Sequence, residues 1–264
     1  MPELAEVEYY RKQWDCGLQN KVQQVHLHPT KRIFRRTDTS ALSAGLSGAT
    51  LLGSEAHGKQ MLFRFSGGAW IGLHLGMSGK LRVESSGFEP AKHDHFALRQ
   101  ARQTLVFSDP RQFGRVLFHS GKDEPSWWRD LPPRINSTEF TYSLFKEFIR
   151  RHRKAPIKAV LLLQERFPGV GNWMADEILW QSNVHPGKPP STLNSAESKR
   201  IFENTIFVCA EALKTIGKDF SDPPPAWLFQ HRWRKGAACP RCEAKLSHTT
   251  IGGRTSCWCK KCQR

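Results

Sequence analysis

Two pairs of cysteines constrain this chain most: Cys239-Pro-Arg-Cys242 and, sixteen residues further on, Cys259-Lys-Lys-Cys262. Such pairs supply four thiolates that can close a tetrahedron around zinc, the metal standing in for a core that so short a segment cannot build. A redox role for either pair calls for a strand-to-helix turn in a βαβ pattern, which is absent here. Cys257, two positions before Cys259, is a competing ligand; the paired spacing favours Cys259 and leaves Cys257 as a packed free thiol. Arg241, Lys245, Arg254, Lys260 and Lys261 lie within or between the pairs, with Arg264 just after them, against a single acid, Glu243, which suggests a nucleic-acid partner.

The whole chain repeats that charge imbalance. Across 264 residues the net charge is +16, which favours a polyanionic partner, with simple solubility as the plainer alternative. Hydrophobic residues make up 39%, enough for a globular chain rather than a disordered basic tail. With four of seven cysteines assigned to metal, Cys16, Cys209 and Cys257 are too few and too scattered for a disulfide framework, which fits a reducing compartment. No basic-then-apolar leader opens the chain, and no stretch approaches the roughly 18 apolar residues of a membrane span. The expectation is a soluble, monomeric, intracellular protein, cytoplasmic and nucleoid-associated, without a membrane partner.

Periodicity divides the chain into a β part and a helical part. Residues 3–16 read as an amphipathic helix on Leu4, Val7, Tyr10 and Trp14, with Glu3, Glu6 and Glu8 at its start and Gly17 as its stop. Short apolar runs then alternate with turn residues: Met61–Phe65, Trp70–Leu75, Leu81–Val83, Phe96–Leu98, Thr104–Phe107 and Arg115–Phe118. Many short strands with turns between them predict an antiparallel sandwich. Pro125–Pro133, with Trp127-Trp128, reads as a linker, residues 140–217 read as helical, and Asp222-Pro-Pro-Pro225 separates the helices from the cysteine module. The predicted domains are a β-sandwich over residues 1–130, a helical domain over 131–222 and a zinc ribbon over 223–264.

Several motifs carry chemistry. Met1 precedes Pro2, a small residue that permits removal of the initiator and exposes a secondary amine. Such an amine attacks an aldehyde carbon to give a cationic iminium, and Glu3 beside it can move a proton. Taken in isolation, ordinary helix-start chemistry is the better reading of the same residues. His57-Gly58-Lys59 precedes a strand, and His74–Gly79 makes a turn that projects Met77, either as a wedge for a base stack or as core. Asp109–Gly114 is a second turn, offering Arg111 and Phe113 or simply a surface hairpin. Phe167–Asn172 breaks one helix and opens another; Asn172 reads as its N-cap, with first-turn amides free to hold a phosphate. Arg150, Arg151, Arg153, Lys154 and Lys158 form a basic face, suited to a nucleic-acid backbone or merely solvated.

In this order, Pro2-Glu3-Leu-Ala-Glu6, Lys59, His74–Gly79, Lys92-His-Asp-His95, Asp109–Gly114, Gly169–Glu177 and the terminal cysteines resemble the formamidopyrimidine-DNA glycosylase and endonuclease VIII family end to end. The resemblance implies an α+β multidomain fold: an N-terminal helix with an antiparallel β-sandwich, a helix-two-turn-helix domain and a C-terminal zinc ribbon. It implies a base-excision repair enzyme, a DNA glycosylase with AP-lyase activity on damaged double-stranded DNA, holding one structural zinc through Cys239, Cys242, Cys259 and Cys262. Pro2 then matches the Schiff-base nucleophile, Glu3 the proton donor for opening the sugar ring, Lys59 the proton donor in β-elimination and Arg254 the phosphate contact that assists δ-elimination. His93, Arg111, Lys154 and Asn172 match DNA contacts; Met77, Arg111 and Phe113 match the residues that fill the gap left by a flipped base; Glu6 matches an acid near that base. An extruded base demands such a filler, because lost stacking must be recovered.

Three departures stand out. Ala5 replaces a usual proline, and Leu163-Gln164 stands where an acid and an amide are common, which predicts that a polar support behind the helical turn is missing. Residues 215–229 replace a Gly/Thr-rich approach with prolines and aromatics and look more like the endonuclease VIII side, leaving oxidised purines and oxidised pyrimidines both open. Two other classes fit parts of the pattern: a non-catalytic protein binding lesions or junctions, and an RNA-binding or ribosome-associated zinc-ribbon protein. The trio Pro2, Glu3 and Lys59 separates the enzyme from both.

Overall fold

Alternating apolar residues in the first half of the chain fold into two antiparallel four-stranded sheets. The computed structural model describes residues 1–234 and 236–264. They gather into two compact units, Met1–Pro2 with Glu6–Leu131 and Glu3–Ala5 with Pro132–Arg264.

In the first unit the strands are β1 (Val22–Leu27), β2 (Leu51–His57), β3 (Gln60–Phe65), β4 (Ala69–His74), β5 (Lys80–Ser85), β6 (Asp94–Gln100), β7 (Gln103–Ser108) and β8 (Arg115–Ser120). One sheet has the order β1-β6-β7-β5 and the other β2-β3-β4-β8. Met61, Phe63 and Phe65 alternate along β3 into a core shared with Phe96 and Leu98 of β6 and Leu105 and Phe107 of β7. Helix α1 (Leu4–Gln13) leads into Trp14, fully buried with ring centroids 4.9 Å from Phe63 and 6.1 Å from Phe96. Burying such aromatics contributes about 1.5–3 kcal/mol each.

The six apolar runs fall in strands, with only Leu75 past the end of β4, whereas β1 and β2 carry no clean alternation. Both are edge strands in which only Val22 and Leu51 are buried, and polar residues interrupt each run. Helix α2 (Thr39–Leu46) is built from small residues and is started by Asp38, whose carboxylate accepts the Ser40 and Ala41 amides. The predicted linker needs correction at its start. Ser126–Arg129 is a helical turn, α3, and Trp128 packs with Leu62 and Trp70 on the sandwich's outer face.

The second unit holds α4 (Tyr142–Arg151), α5 (Ile157–Leu161), α6 (Asn172–Gln181), α7 (Ser195–Lys214), α8 (Ile216–Asp219) and a hairpin of β9 (Ser247–Ile251) and β10 (Arg254–Trp258). Phe140, Phe145, Phe148 and Phe167 build a helical core with Val160, Ile178 and Ile201. Thr141 caps α4, and Asn194 with Glu197 forms a capping box on α7. The hairpin lies against α6, where Trp180 joins Cys239, Leu246, Cys257 and Cys259 in a small cluster. The architecture is the α+β one expected: a helix with an antiparallel sandwich, a helical module whose α5 and α6 flank a tight turn, and a cysteine ribbon. No helix among the described residues is long and apolar enough to cross a membrane.

Candidate functional site

In the first unit, two loops carry three of the residues singled out. Asp109, fully buried, accepts the Ser78 hydroxyl on Oδ1 at 2.8 Å and the Gly114 amide on Oδ2 at 2.7 Å. One carboxylate therefore binds the loop after β4 to the loop after β7. Gly76 has φ 62°, and a side chain there would stand 2.4 Å from the Phe113 carbonyl carbon, so the loops meet backbone to backbone. Their tips project Met77, 40% exposed, and Phe113, 42% exposed. The Arg111 guanidinium lies 4.9 Å from the Phe113 ring centroid.

His93 joins this group through its backbone, its carbonyl accepting the Asp109 amide at 3.0 Å while its side chain stays exposed. Behind it, His95 Nε2 lies 3.1 Å from the Asp109 carbonyl oxygen, and its Nδ1 lies 3.1 Å from His28 Nδ1. Sequence reading missed Asp109, Ser78 and this histidine pair as supports. An aspartate closing a strand next to Pro110, opposite a serine in a Gly-Met-Ser-Gly turn, was the available signal.

Lys59 occupies the turn joining β2 and β3, where His57 pairs with Gln60. His74, opposite Gln60 on β4, is held neutral: burial above all, then the charges of Arg115 and Lys59, pushes its pKa to about 4. Its Nδ1 accepts the Gly76 amide at 3.0 Å, linking the base of the Met77 loop to the strand beside Lys59. Pro2 and Glu6 are both half-buried, Glu6 lying one turn before Tyr10 on α1.

In the second unit, Glu3 is buried and caps α6. Its carboxylate accepts the Trp173 amide at 3.0 Å and the Met174 amide at 3.1 Å, while the Leu4 amide donates to the Gly169 carbonyl at 3.0 Å. An acid at this position complements the helix dipole. Gly171 is required beside it, since a Cβ there would come within 2.2 Å of the Glu3 carboxyl carbon.

Two expectations are thereby corrected. Asn172 is not the N-cap; Gly171 holds that position, and Asn172 instead donates Nδ2 to the Thr255 carbonyl at 3.0 Å. Nor are the first-turn amides all free for phosphate, since Glu3 takes two of them. The missing support behind the turn is a third correction. Gln164 accepts the Gly169 amide at 3.2 Å and donates to the Val170 carbonyl at 2.8 Å, so the amide braces the turn without the acid.

Lys158, read as part of a basic face, is fully buried instead. Its Nζ sits 2.6 Å from Asp176 Oδ1 and donates to the Thr255 carbonyl at 3.1 Å and Ser256 Oγ at 2.8 Å. Asp176 Oδ2 also accepts from Arg232 at 2.6 Å and from the Cys257 amide at 3.1 Å. This buried cluster fixes β10, whose first residue is the exposed Arg254. Arg254 and Asn172 are thus brought to one strand end, while Lys154 lies exposed in the segment between α4 and α5. Glu177, fully buried, accepts the Phe229 amide at 3.0 Å and Gln181 Nε2 at 2.9 Å, and burial pushes its pKa up to about 7.

Cys239, Cys242, Cys259 and Cys262 bring their sulfurs within 4.8 Å of one another, so this group can hold a metal ion. Separations of 3.4 Å (Cys242–Cys262), 3.5 Å (Cys242–Cys259) and 3.9 Å (Cys239–Cys262) are close to the edges, about 3.8 Å, of a tetrahedral thiolate site with metal–sulfur bonds of about 2.3 Å. Trp180 Nε1 donates to Cys239 Sγ at 3.4 Å. Cys257 lies outside the group, buried against Trp180, Leu228 and Leu246.

A sandwich, a helical two-turn module and a four-cysteine ribbon, with a carboxylate pinned at a helix start, define a multidomain α+β class of protein. Residues 1–116 match the formamidopyrimidine-DNA glycosylase N-terminal domain and residues 131–222 the formamidopyrimidine-DNA glycosylase H2TH domain. The chain belongs to the formamidopyrimidine-DNA glycosylase family. It is 33% identical to the formamidopyrimidine-DNA glycosylase of Methylobacillus flagellatus over 274 residues, covering 100% of this chain and 97% of that protein. Against the enzyme of Thermus thermophilus the identity is 32% over 281 residues, covering 100% of this chain and 98% of the relative. Its fold is similar to Lactococcus lactis Fpg solved with a Fapy-dG containing DNA, at TM-score 0.88 and 26% identity over 99% of this chain and 100% of that one. The same protein solved with an oxidized pyrimidine containing DNA gives TM-score 0.89 at 26% identity, with both chains fully covered.

Proposed function

We propose that this protein is a base-excision repair DNA glycosylase with AP-lyase activity, acting as an intracellular monomer on oxidised bases in duplex DNA. The observation that carries the reading is Glu3, fixed by the Trp173 and Met174 amides immediately after Pro2. With Met1 removed, the Pro2 nitrogen attacks C1′ of the damaged nucleotide, the glycosidic bond breaks and the base leaves. Glu3 supplies a proton to the sugar ring oxygen as the ring opens to the iminium. Loss of the C2′ proton then expels the 3′ phosphate, with Lys59 moving protons in this β-elimination, and Arg254 holds phosphate for the second, δ step. Met77, Arg111 and Phe113 fill the vacated stack, while His93, Lys154 and Asn172 hold the backbone and Glu6 stands near the base.

The soft, four-thiolate donor set with its tetrahedral spacing supports zinc as the ion. Bound there, zinc supplies no step of the reaction but holds the ribbon that presents Arg254. The work divides over residues 1–130 for catalysis, 131–222 for backbone binding and 223–264 for the ribbon. Formamidopyrimidine lesions are the leading substrates, given the names of the relatives, with 8-oxoguanine beside them as the family resemblance implies. Oxidised pyrimidines are included because a related structure holds such DNA and because residues 215–229 resemble the endonuclease VIII side.

Borohydride trapping of the Met1-processed protein on duplexes with 8-oxoguanine, a formamidopyrimidine, 5-hydroxyuracil or an abasic site tests the proposal. A covalent adduct that vanishes when Pro2 is blocked is expected. Tight binding without an adduct on any duplex would instead make this a non-catalytic lesion-binding protein.

A further inference from the structure

Trp233 is the most exposed large apolar side chain among the described residues, 65% open to solvent, in a chain that buries Trp14, Trp173 and Trp180 almost completely. An indole left in water forgoes the burial that ordinarily stabilises so large a ring. Its segment is nevertheless firmly held, pinned to two consecutive acids of α6. Glu177 accepts the Phe229 amide at 3.0 Å, and Asp176 accepts from Arg232 at 2.6 Å. The Arg232 carbonyl is fixed as well, 3.0 Å from His248 Nε2 on β9.

The ring is held too. The Arg232 guanidinium lies 4.3 Å from the Trp233 ring centroid and covers one face of the indole, while Phe229 stands perpendicular to it with centroids 6.3 Å apart. With both neighbours in place the indole still keeps a broad open surface. Shielding the Arg232–Asp176 pair accounts for the covered face but not for the open one. Phe229 continues the row to Trp173, 4.8 Å away and again perpendicular, and the Trp173 amide donates to Glu3 at 3.0 Å. Trp173 is buried and Phe229 half-buried, so Trp233 is the member of this row that presents its ring to solvent.

The row therefore starts at the acid assigned to the sugar of the damaged nucleotide and ends, two ring contacts away, at a rigid aromatic surface. A base extruded from a duplex stays attached to that sugar and has lost its stacking on both sides. A fixed aromatic ring restores such stacking whatever the base, because every base has a π face. We propose that Trp233 is the stacking platform for the extruded base, with Arg232 supporting the indole from behind and Phe229 setting its angle. This role rests on the glycosylase reading above and adds to it the contact that separates a base-bearing site from one already emptied. Stacking reads a planar ring rather than hydrogen-bonding groups, so oxidised purines and oxidised pyrimidines can share the platform.

Single-turnover excision of 8-oxoguanine and 5-hydroxyuracil by full-length Trp233→Ala, set beside borohydride trapping on an abasic duplex, tests it. An abasic site has no base to stack. Excision is expected to fall about tenfold further than abasic trapping, the value of one stacking contact. Trp233→Phe, which keeps a ring, should recover most of that difference, with circular dichroism and the melting curve reporting that both variants are folded. Equal losses with and without a base would overturn the proposal and leave Trp233 a shield for the Arg232–Asp176 pair. Unchanged excision in Trp233→Ala would overturn it as well. If the wild-type protein excises neither base, or forms no adduct even on the abasic duplex, the proposed activity is what fails. The platform is then read by affinity: Trp233→Ala should lower the preference for lesion-bearing over abasic duplex about tenfold, and an unchanged ratio would overturn it.

Discussion

Lys158 and Asp176 form an ion pair at 2.6 Å in which neither side chain is exposed to solvent. Arg232 shares the same carboxylate, so one acid compensates two buried cations. Removing one partner of such a cluster typically costs about 3–5 kcal/mol, because the remaining charges stay desolvated. Asp176→Ala is expected to lower unfolding free energy by that amount in urea titrations. Lys158→Met should cost less, since Arg232 still faces the acid. A loss under about 1 kcal/mol for Asp176→Ala would mean water reaches the cluster.

Glu177 makes stability depend on pH. Burial raises its folded pKa from the usual 4.5 to about 7, so the folded state prefers the protonated acid. Its stabilising contribution is complete below about pH 4.5 and is lost as pH rises through about 7. At about 1.4 kcal/mol per pH unit this is on the order of 3 kcal/mol. Glu177→Gln should remove that slope and raise the melting temperature at alkaline pH. An unchanged slope in the variant would point to another titrating group.

Gly171→Ala tests the seat of Glu3. The added methyl would lie 2.2 Å from the Glu3 carboxyl carbon, so the acid must leave the α6 amides. Excision should fall by about 10²-fold, the usual share of a positioned acid, while DNA affinity changes little. Single-turnover excision alongside binding isotherms measures both, and near-normal excision would free Glu3 from its proposed role.

Metal content separates the cysteines. Cys259→Ser should lose the ion, loosen β9 and β10, and weaken DNA binding, because the ligand set drops to three. Cys257→Ser should keep one ion per chain by elemental analysis, as this sulfur lies outside the four-cysteine group. Retained metal in Cys259→Ser would reverse that assignment.

Met77→Ala shortens the apolar side chain at the loop tip. If it fills a vacated stack, excision from duplex DNA should fall about tenfold or more, the value of one lost stacking contact. Excision from a single strand, which has no stack to fill, should be spared. Equal losses on both substrates would exclude a wedge.

Elements that bury a whole face were legible in the sequence. Met61–Phe65 and Thr104–Phe107 are near-continuous apolar runs because both lie inside sheets, and the cysteine spacing names its own geometry. β1 and β2 escaped notice because polar residues interrupt them, Gln23-Gln24 in β1 and Ser54-Glu55 in β2, so neither shows an apolar run. The candidate residues themselves were visible as local motifs, but their supports were not. Glu3 reaches amides 170 and 171 residues away, and Lys158 looked like one more surface cation until Asp176 and the β10 carbonyls closed around it. Local periodicity holds no record of such long-range pairings. Misreading Asn172 as a cap has the same origin, for the real capping group comes from the other end of the sequence.

Asp109 joins the Met77 loop to the Arg111–Phe113 loop through Ser78 and Gly114. Tied at that hub, the three tip side chains share one mechanical degree of freedom. In the proposed role the wedge and the cation would enter a base stack together, and an intact stack would turn both away in the same stroke.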